Sequence, residues 1–284
     1  MGEQVAQHVI GVPAPALRPF VSRYTGYRYE GFDPGVHVGL PSRDLTFAVS
    51  LGDPIEVGEL RGPDGARNRF PALASGLHAV PVAVHHDGNQ HGLQLALTPL
   101  GCRALFGMPA AEMASLTVPL DSLLGALAVE LVDRVRSAAV WSQRFAVLDR
   151  VLLRAFTEPV APAPEITLAW ERLTRTGGGV GVARLADEVG WSRRHLSERF
   201  RREYGLPPKT MARIVRFERA RRMVTATGGA SLGTIAATAG YADQAHMTRE
   251  WHDFAGGSPL AWMSAERLPF VQDGGEDDRS DSPA

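Results

Sequence analysis

The alternation of apolar and polar positions divides the chain into stretches of different type. Between about residues 19 and 100, short apolar runs such as LTFAVSL and HGLQLALTPL are separated by Gly, Pro, Asp and Asn, which is typical of strands joined by tight turns. We expect a small β-barrel or sandwich there. From Pro109 to Phe156 the spacing becomes helical, because apolar residues recur at threes and fours at Leu120, Leu123, Leu124, Leu127, Leu131 and Val135. These helices either pack on the strands or meet a second subunit, and packing is favoured.

Two segments without this patterning predict the domain boundaries. The proline-rich TEPVAPAPE, residues 157–165, interrupts helix and predicts a linker. The end of the chain, residues 269–284, is acidic and nearly free of large apolar side chains, which predicts a disordered tail. The sequence therefore predicts an N-terminal domain at residues 1–156 and a helical C-terminal domain at residues 166–268.

The C-terminal domain contains an internal repeat, with one copy from Val182 and another from Leu232. In each copy a small alanine lets two helices cross closely, a glycine permits a sharp turn, and a polar residue opens the next helix. This is the pattern of a helix-turn-helix unit. The predicted cores of the two units are Leu185, Ala186, Leu196 and Phe200 in the first, and Ile235, Ala236, Met247 and Trp251 in the second.

The segment between the copies, PPKTMARIVRFERARRMVTATGG, starts with a proline pair, ends with a glycine pair and predicts one long helix. Such a helix would hold the units so that they can enter successive major grooves, roughly 34 Å apart. The predicted fold class is α+β. It combines an N-terminal small β-barrel or sandwich with helices and a C-terminal all-α domain of two helix-turn-helix units joined by a long helix.

Charge is distributed unevenly although the net charge is only −1. Residues 165–268 carry 16 basic and 11 acidic side chains, and 15 of the 16 basic ones are arginine. Arginine forms forked hydrogen bonds with phosphates and guanine edges, so this segment suits DNA. An ordinary solvated surface would explain the charge nearly as well, and the charge adds only modest support to the repeat.

Composition excludes several other classes of protein. No apolar run approaches the roughly 18 to 20 residues that a membrane span needs, and the N-terminus lacks an export signal. The single cysteine, Cys102, cannot form an internal disulfide, which fits a reducing compartment. We expect a soluble cytoplasmic protein with no membrane partner.

Candidate enzymatic and metal-binding chemistry is weak. The segment VHHDGNQHG brings His85, His86 and His91 near Asp87, but strand alternation would separate the first two, so a polar hairpin is favoured over a metal site. Cys102 lies among apolar residues at helical spacing, which predicts a buried core residue. Neither G-x-S-x-G nor a phosphate-binding G-x-x-x-x-G-K-[ST] motif occurs. The sequence predicts no enzyme, no cofactor and no metal.

The segment from Ile166 to Arg267 resembles the DNA-binding domain of the AraC/XylS family of transcription regulators. The resemblance rests on LADEVGWSRRHLSERFRREYG, on RFERAR in the connecting helix, and on IAATAGYADQAHMTREWHDFAGGSP followed by Trp262. It implies base contacts from the second helix of each unit, by position Arg193, Arg194, Ser197, Glu198, Gln244, Ala245, Thr248 and Arg249. We expect phosphate contacts from Ser192, Arg201, Arg202, Lys209 and Arg213. Other arginines of the domain should form surface ion pairs with Glu203 and Glu218.

The resemblance implies a sequence-specific DNA-binding transcription regulator. Its expected partners are double-stranded DNA, RNA polymerase, an unidentified small-molecule effector and a second copy of the chain. The N-terminal part is more loosely similar to sensing domains of actinobacterial regulators, through GLPSRDLTF and LTPLGCRALFGMPAAEM. An effector bound there would change dimer arrangement or domain packing. The alternatives are an enzyme or metal-binding barrel tethered to DNA by the same domain, and a regulator that has no ligand.

Overall fold

The computed structural model describes residues 4–60, 67–226 and 230–265. The acidic tail predicted to be disordered lies outside these residues. The strands are β1 (Val5–Gly11), β2 (Val21–Glu30), β3 (Gly35–Gly39), β4 (Leu45–Ser50), β5 (Ile55–Glu59), β6 (Asn68–Phe70), β7 (Ala72–Ser75), β8 (Val82–His86), β9 (Gln90–Leu97) and β10 (Thr117–Pro119). The helices are α1 (Pro99–Phe106), α2 (Asp121–Leu124), α3 (Ala126–Ser137), α4 (Trp141–Ala155), α5 (Pro164–Arg175), α6 (Val182–Glu188), α7 (Arg193–Tyr204), α8 (Pro208–Thr225), α9 (Leu232–Ala239), α10 (Gln244–Ala255) and α11 (Pro259–Ala265). Short 3-10 helices form at Pro15–Leu17 and Ala110–Met113.

The strands form two antiparallel sheets. One has six strands in the order β1-β2-β9-β4-β7-β10, and the other has four in the order β3-β8-β5-β6. Within the described residues no strand pairing joins one sheet to the other. The N-terminal domain is therefore the sandwich-like alternative, and a closed barrel is wrong.

The hairpin predicted at VHHDGNQHG is also wrong. The preceding strand, β8, belongs to the four-stranded sheet, whereas the following strand, β9, belongs to the six-stranded sheet. The turn between them crosses from one sheet to the other at Gly88, whose φ is 103°. Its backbone lies against the chain where β2 leaves the sheet, since Phe32 N donates to Gly88 O at 3.2 Å. A Cβ on Gly88 would lie 1.9 Å from the Phe32 carbonyl oxygen, so only glycine fits.

The six-stranded sheet has an apolar face covered by helices. In β4 and β9, Phe47, Leu93 and Leu95 are almost fully buried and share one core with Leu148 and Leu152 of α4. Strand residues alternate between faces, so the neighbouring positions of β4 and β9 point to the space between the sheets. The helices thus pack on the strands, as the spacing predicts.

The C-terminal domain is entirely helical. The two repeated units are α6–α7 and α9–α10, and α8 joins them as the predicted long helix, although it ends at Thr225. The sharp turns lie at Gly190 and Gly240, with φ values of 70° and 93°. Helix α5 begins at Pro164, so the last two residues of the predicted linker are already helical. No helix of the described residues is long and apolar enough to cross a membrane.

Aromatic packing fills the core of each unit. All eight side chains assigned to these cores are at most 3% exposed. In the first unit Phe200 packs against Tyr204 with ring centroids 4.6 Å apart. In the second, Trp251 contacts Phe217 at 5.0 Å and Trp262 at 5.8 Å. Trp251 therefore joins α8, α10 and α11.

Replacing Trp251 with alanine should lower the free energy of unfolding by roughly 3–5 kcal/mol, because a fully buried indole would leave a cavity shared by three helices. Urea unfolding of the full chain measures the change. The matched control is His252→Ala, which alters the exposed neighbour on the same helix. Equal stability of the two variants would refute the assignment of Trp251 to the core.

Candidate DNA interface and ligand cavity

Capping side chains fix the start of the second helix in each unit. Ser192 Oγ accepts a hydrogen bond from the His195 N–H at 3.2 Å at the start of α7. Asp243 Oδ1 accepts one from the His246 N–H at 2.6 Å at the start of α10. Each cap satisfies a backbone donor that the first helical turn leaves free. The first turns, which carry the residues expected to meet bases, are therefore held in place.

The residues predicted to contact bases lie together on the outer side of each second helix. Six of them are exposed and the other two, Ser197 and Thr248, are half-buried. The exposed residues are Arg193, Arg194 and Glu198 on α7, and Gln244, Ala245 and Arg249 on α10. Each unit thus presents a polar helix face of the kind that enters a major groove.

One ion pair lies on this face. Arg194 Nε is 2.9 Å from Glu198 Oε1, and the two side chains are 89% and 59% exposed. A surface pair of this kind stabilises by only about 0–1 kcal/mol. A phosphate or a base acceptor can therefore replace Glu198 as the partner of Arg194, and a base amino group can replace Arg194 as the partner of Glu198. Arg249 makes no ion pair with any other described residue, which leaves its guanidinium available to DNA.

The residues predicted to contact phosphates divide into two groups. Ser192, Arg201, Arg202 and Lys209 are exposed. Arg213 instead donates through Nε to Glu250 Oε1 at 2.8 Å and pairs through Nη2 with Asp253. Contact between Arg213 and a phosphate would require it to leave these carboxylates, and it remains a prediction.

A buried carboxylate organises the second unit. Glu250 is only 4% exposed, and its Oε1 also accepts from Arg216 Nη2 at 3.0 Å. The Arg216 guanidinium lies 4.9 Å from the ring centre of Tyr241, and burial together with the Glu250 charge raises the pKa of that phenol. The sequence analysis missed Glu250. The sequence feature that could have identified Glu250 is its position directly before the buried Trp251 on α10.

Each unit also has a histidine packed edge-on against the aromatic residue of its turn. The centroids of Trp191 and His195 are 4.6 Å apart, and those of Tyr241 and His246 are 5.2 Å apart. These pairs occupy matching positions of the repeat and lie beside the expected base contacts. They pack the turn against the second helix, a role that the sequence repeat by itself does not indicate.

A cavity of about 780 Å³ lies between the two sheets of the N-terminal domain. Tyr27, Thr46 and Gln94 line it from the six-stranded sheet, and His37 and His86 line it from the four-stranded sheet. The histidines that suggested a metal site thus belong to the rim and wall of a larger space. The described residues contain no group of three or more His, Cys, Asp or Glu placed to hold a metal ion.

Charged contacts join the two domains. Arg103 of α1 donates from Nε and Nη2 to both carboxylate oxygens of Glu203, at the last turn of α7, each at 2.6 Å. Glu218 of α8 accepts from Ser42 Oγ and from the backbone N–H of Arg43, each at 2.9 Å. The expectation that Glu203 and Glu218 form surface ion pairs within the C-terminal domain is therefore wrong. Both are less than a tenth exposed, and both take partners from the N-terminal domain.

A carboxyl group beside this contact has an unusual pKa. Partial burial and the Glu218 charge raise the pKa of Asp44 to about 6. The charge of Arg43, a hydrogen bond from Ser22 and the charge of Arg23 act in the opposite direction.

The Cys102 thiol is fully buried, and burial raises its pKa to about 12. The prediction that Cys102 is a core residue is confirmed.

Comparison with known proteins places the repeat in a recognised domain family. Residues 185–265 match the family model described as a helix-turn-helix domain. ToxT from Vibrio cholerae O395 has a similar fold over 86% of this chain and 98% of its own, with 12% identity and a TM-score of 0.51. No curated protein sequence matches the chain.

Two further solved structures are similar. ToxT from Vibrio cholerae bound to (E)-4-(8-methylnaphthalen-1-yl)but-3-enoic acid is 11% identical over 92% of this chain and 98% of its own, with a TM-score of 0.51. The DNA-binding domain of AdpA in complex with a target DNA is 27% identical over 37% of this chain and 93% of its own, with a TM-score of 0.32.

Replacing Arg249 with alanine should weaken binding to a specific DNA site by about 1–3 kcal/mol and relax the preference at one base pair, because we expect this arginine to make a forked contact to a base edge. Fluorescence anisotropy on a set of single-base variants of the site measures both effects. The comparison variant is Lys209→Ala, for which we expect a similar small loss on every sequence and a shallower salt dependence. Equal loss on all sequences for Arg249→Ala would show that Arg249 contacts only phosphate.

Proposed function

We propose that the protein is a DNA-binding transcription regulator with an AraC-type helix-turn-helix domain, and that a small molecule bound between the two sheets of its N-terminal domain controls how the two units meet DNA. The observation that carries this proposal is the path of the chain. Two strands that line the cavity continue directly into the two charged contacts between the domains.

The first path runs through β4. Thr46 and Ala48 of this strand line the cavity, and the residues just before it, Ser42 and Arg43, hold Glu218 on α8. A ligand that shifts β4 by a fraction of an ångström would therefore shift the partners of the helix that connects the two units. Packed elements transmit such shifts because they move as rigid bodies.

The second path runs through β9. Gln94 lines the cavity, and β9 leads at Leu97 into α1, whose Arg103 holds Glu203 at the last turn of α7. Helix α7 is the second helix of the first unit. The two paths thus end on α7 and α8, so a change in the cavity would act on the position of one unit relative to the other.

On DNA, we propose that the two units enter successive major grooves. Helix α8 has 18 residues and is therefore about 27 Å long at 1.5 Å per residue. This length is compatible with two second helices separated by about one turn of the duplex. Base contacts would come from the exposed faces of α7 and α10, and phosphate contacts from the surrounding arginines.

The proposal also includes partners and location. RNA polymerase and a second copy of the chain are proposed partners, and the cytoplasm is the proposed location. That ToxT takes a small organic acid supports a ligand-responsive role for a protein of this fold. The competing proposal is a DNA-tethered enzyme or metal-binding domain, and stoichiometric metal retained by the purified protein would favour it.

The experiment that tests the proposed function is selection of genome fragments by the full-length protein, followed by anisotropy at about 0.15 M salt, where nonspecific electrostatic attraction is weakened. We expect one asymmetric site with two short boxes about one helical turn apart. A site with a single box would mean that only one unit reads DNA. Binding to DNA without sequence preference would contradict the proposal that the protein is a transcription regulator.

Replacing Arg103 with alanine should loosen the contact between the domains by roughly 2 kcal/mol, because two hydrogen bonds to the Glu203 carboxylate are lost. We expect faster amide hydrogen exchange in α1 and at the end of α7, together with a changed DNA affinity. The control is Arg154→Ala, which removes an exposed pair with Glu130 inside the N-terminal domain. Unchanged exchange at α7 in the Arg103 variant would contradict coupling through this contact.

Asp44 should make stability depend on pH. Its pKa is about 6 in the folded protein and near 3.8 without the fold, so the folded state binds the proton more tightly. Stability from this group is fully present below about pH 4 and is lost as pH rises through about 6. Asp44→Asn should therefore be more stable than the parent protein above pH 6 and equal to it near pH 4.

Thermal unfolding across this pH range measures the difference. Asp133→Asn, at an exposed position of α3, is the control and should leave the pH profile unchanged. A constant difference between Asp44→Asn and the parent protein at every pH would exclude titration of Asp44 as its cause.

A further inference from the structure

The second helices of both units end against the N-terminal domain. Gly205 directly follows α7 and Gly256 directly follows α10, and the two glycines occupy matching positions of the repeat. Each donates its backbone N–H to the last turn of its helix. The expected base contacts lie on the first two turns of the same helices, at the other end. The N-terminal domain and DNA therefore meet opposite ends of each second helix.

The end of α7 contacts a segment that belongs to the six-stranded sheet. A Cβ on Gly205 would overlap the side chain of Ala114, so the backbone at this glycine lies directly against Ala114. The next residue, Ser115, has a φ of 61°, which residues other than glycine keep only when their surroundings hold them. Its N–H donates to Leu77 O at 2.9 Å, and the chain continues into β10. The six-stranded sheet thus positions the end of the first unit's second helix.

The end of α10 contacts the four-stranded sheet instead. A Cβ on Gly256 would lie 3.1 Å from Leu60 Cδ2, so the leucine side chain lies over this glycine. Leu60 directly follows β5, and Glu59 at the end of β5 pairs with Val82 of β8. The contact on the second unit therefore comes from the other sheet.

Each sheet thus contacts the second helix of one unit. The charged contacts of Glu203 and Glu218 add to the hold of the six-stranded sheet, because Ser42 precedes β4 and Arg103 belongs to the helix after β9. Among the strands that the structure describes, no pairing joins the two sheets, so their separation can change at the cavity without breaking strand hydrogen bonds. Such a change would move the end of α10 relative to the end of α7.

Helix α8 sets the coarse separation of the units, and the two glycine contacts act on the smaller scale of a base pair. DNA has about 10–10.5 base pairs per turn of roughly 34 Å, so one added base pair moves a box by about 3.4 Å and rotates it by about 35°. A shift of similar size at the end of one second helix would favour a different spacing of the boxes.

We propose that Ala114 and Leu60 are positioning residues that hold one unit on each sheet, and that the distance between the sheets thereby sets the spacing of the two DNA boxes. The inference rests on the proposed function, because it needs two units that both read DNA. It gives the four-stranded sheet a role of its own, which is to hold the second unit in register with the first.

The test uses the full-length protein on the selected DNA site, with the spacer between the boxes shortened or lengthened by one or two base pairs. Anisotropy at about 0.15 M salt gives the affinity for each spacer. For the parent protein we expect one preferred spacer and about a tenfold loss of affinity when the spacer changes by one base pair. DNA with a single box measures how each unit binds alone.

Leu60→Ala should flatten this spacing profile, because it removes the side chain over Gly256 and changes no residue of either unit. We expect the loss for one base pair to fall to about threefold, with unchanged affinity for single-box DNA. Leu60→Met keeps a long apolar side chain at the contact and should retain the parent profile. Ala114→Gly, which removes the methyl group against Gly205, should flatten the profile as Leu60→Ala does.

The control is Val12→Ala. Val12 is 71% exposed and directly follows β1, which lies at the opposite edge of the six-stranded sheet from β10. This variant should keep the parent profile. Binding is measured below the melting temperature of every variant, so that each is compared in its folded state.

The outcomes separate the positioning role from the proposed function. If Leu60→Ala and Ala114→Gly both keep the parent profile, the positioning role is overturned and the reading of two boxes stands. A matching loss on single-box DNA would show damage to a unit rather than a change of position, and would also overturn the role. A parent protein that reads only one box would contradict the proposed function itself, and the inference with it.

Discussion

The arrangement of this protein depends on pairing three carboxylates that folding removes from water. Glu203, Glu218 and Glu250 all belong to the C-terminal domain, and each is less than a tenth exposed. A buried carboxylate without partners destabilises a protein by several kcal/mol, so each must find donors. Glu250 finds them on α8 of its own domain, whereas Glu203 and Glu218 find them on the N-terminal domain. The position of one domain on the other follows from that difference.

The location of these pairs decides which part of the structure can rearrange. Glu250 takes its donors Arg213 and Arg216 from α8, so its pairing uses no residue of the N-terminal domain. Glu203 and Glu218 would meet water if the domains separated, and the hydration they regain would offset most of the lost contact. A ligand that binds the docked and the separated arrangement with different affinity would shift the balance between them.

The two faces of the six-stranded sheet have different roles. One face holds Phe47 and Leu95 against the helices and gives the domain its core. The other carries Thr46 and Gln94 into the cavity, where polar groups are tolerated because the sheets do not close on each other. The same strands continue into the domain contacts. Stability, ligand binding and the charged domain contacts thus come from a single sheet, through alternation along each strand.

The sequence by itself determined the features that depend on local spacing. It predicted the two helix-turn-helix units, the long connecting helix, the strand-rich N-terminal region and the buried Cys102, because periodicity and turn residues act over a few positions. Only the tertiary structure decided three features: the partners of Glu203 and Glu218, the assignment of β8 and β9 to different sheets, and the cavity between the sheets. These contacts join residues far apart in the chain, from 48 positions between Thr46 and Gln94 to 176 between Ser42 and Glu218, and no local pattern records them.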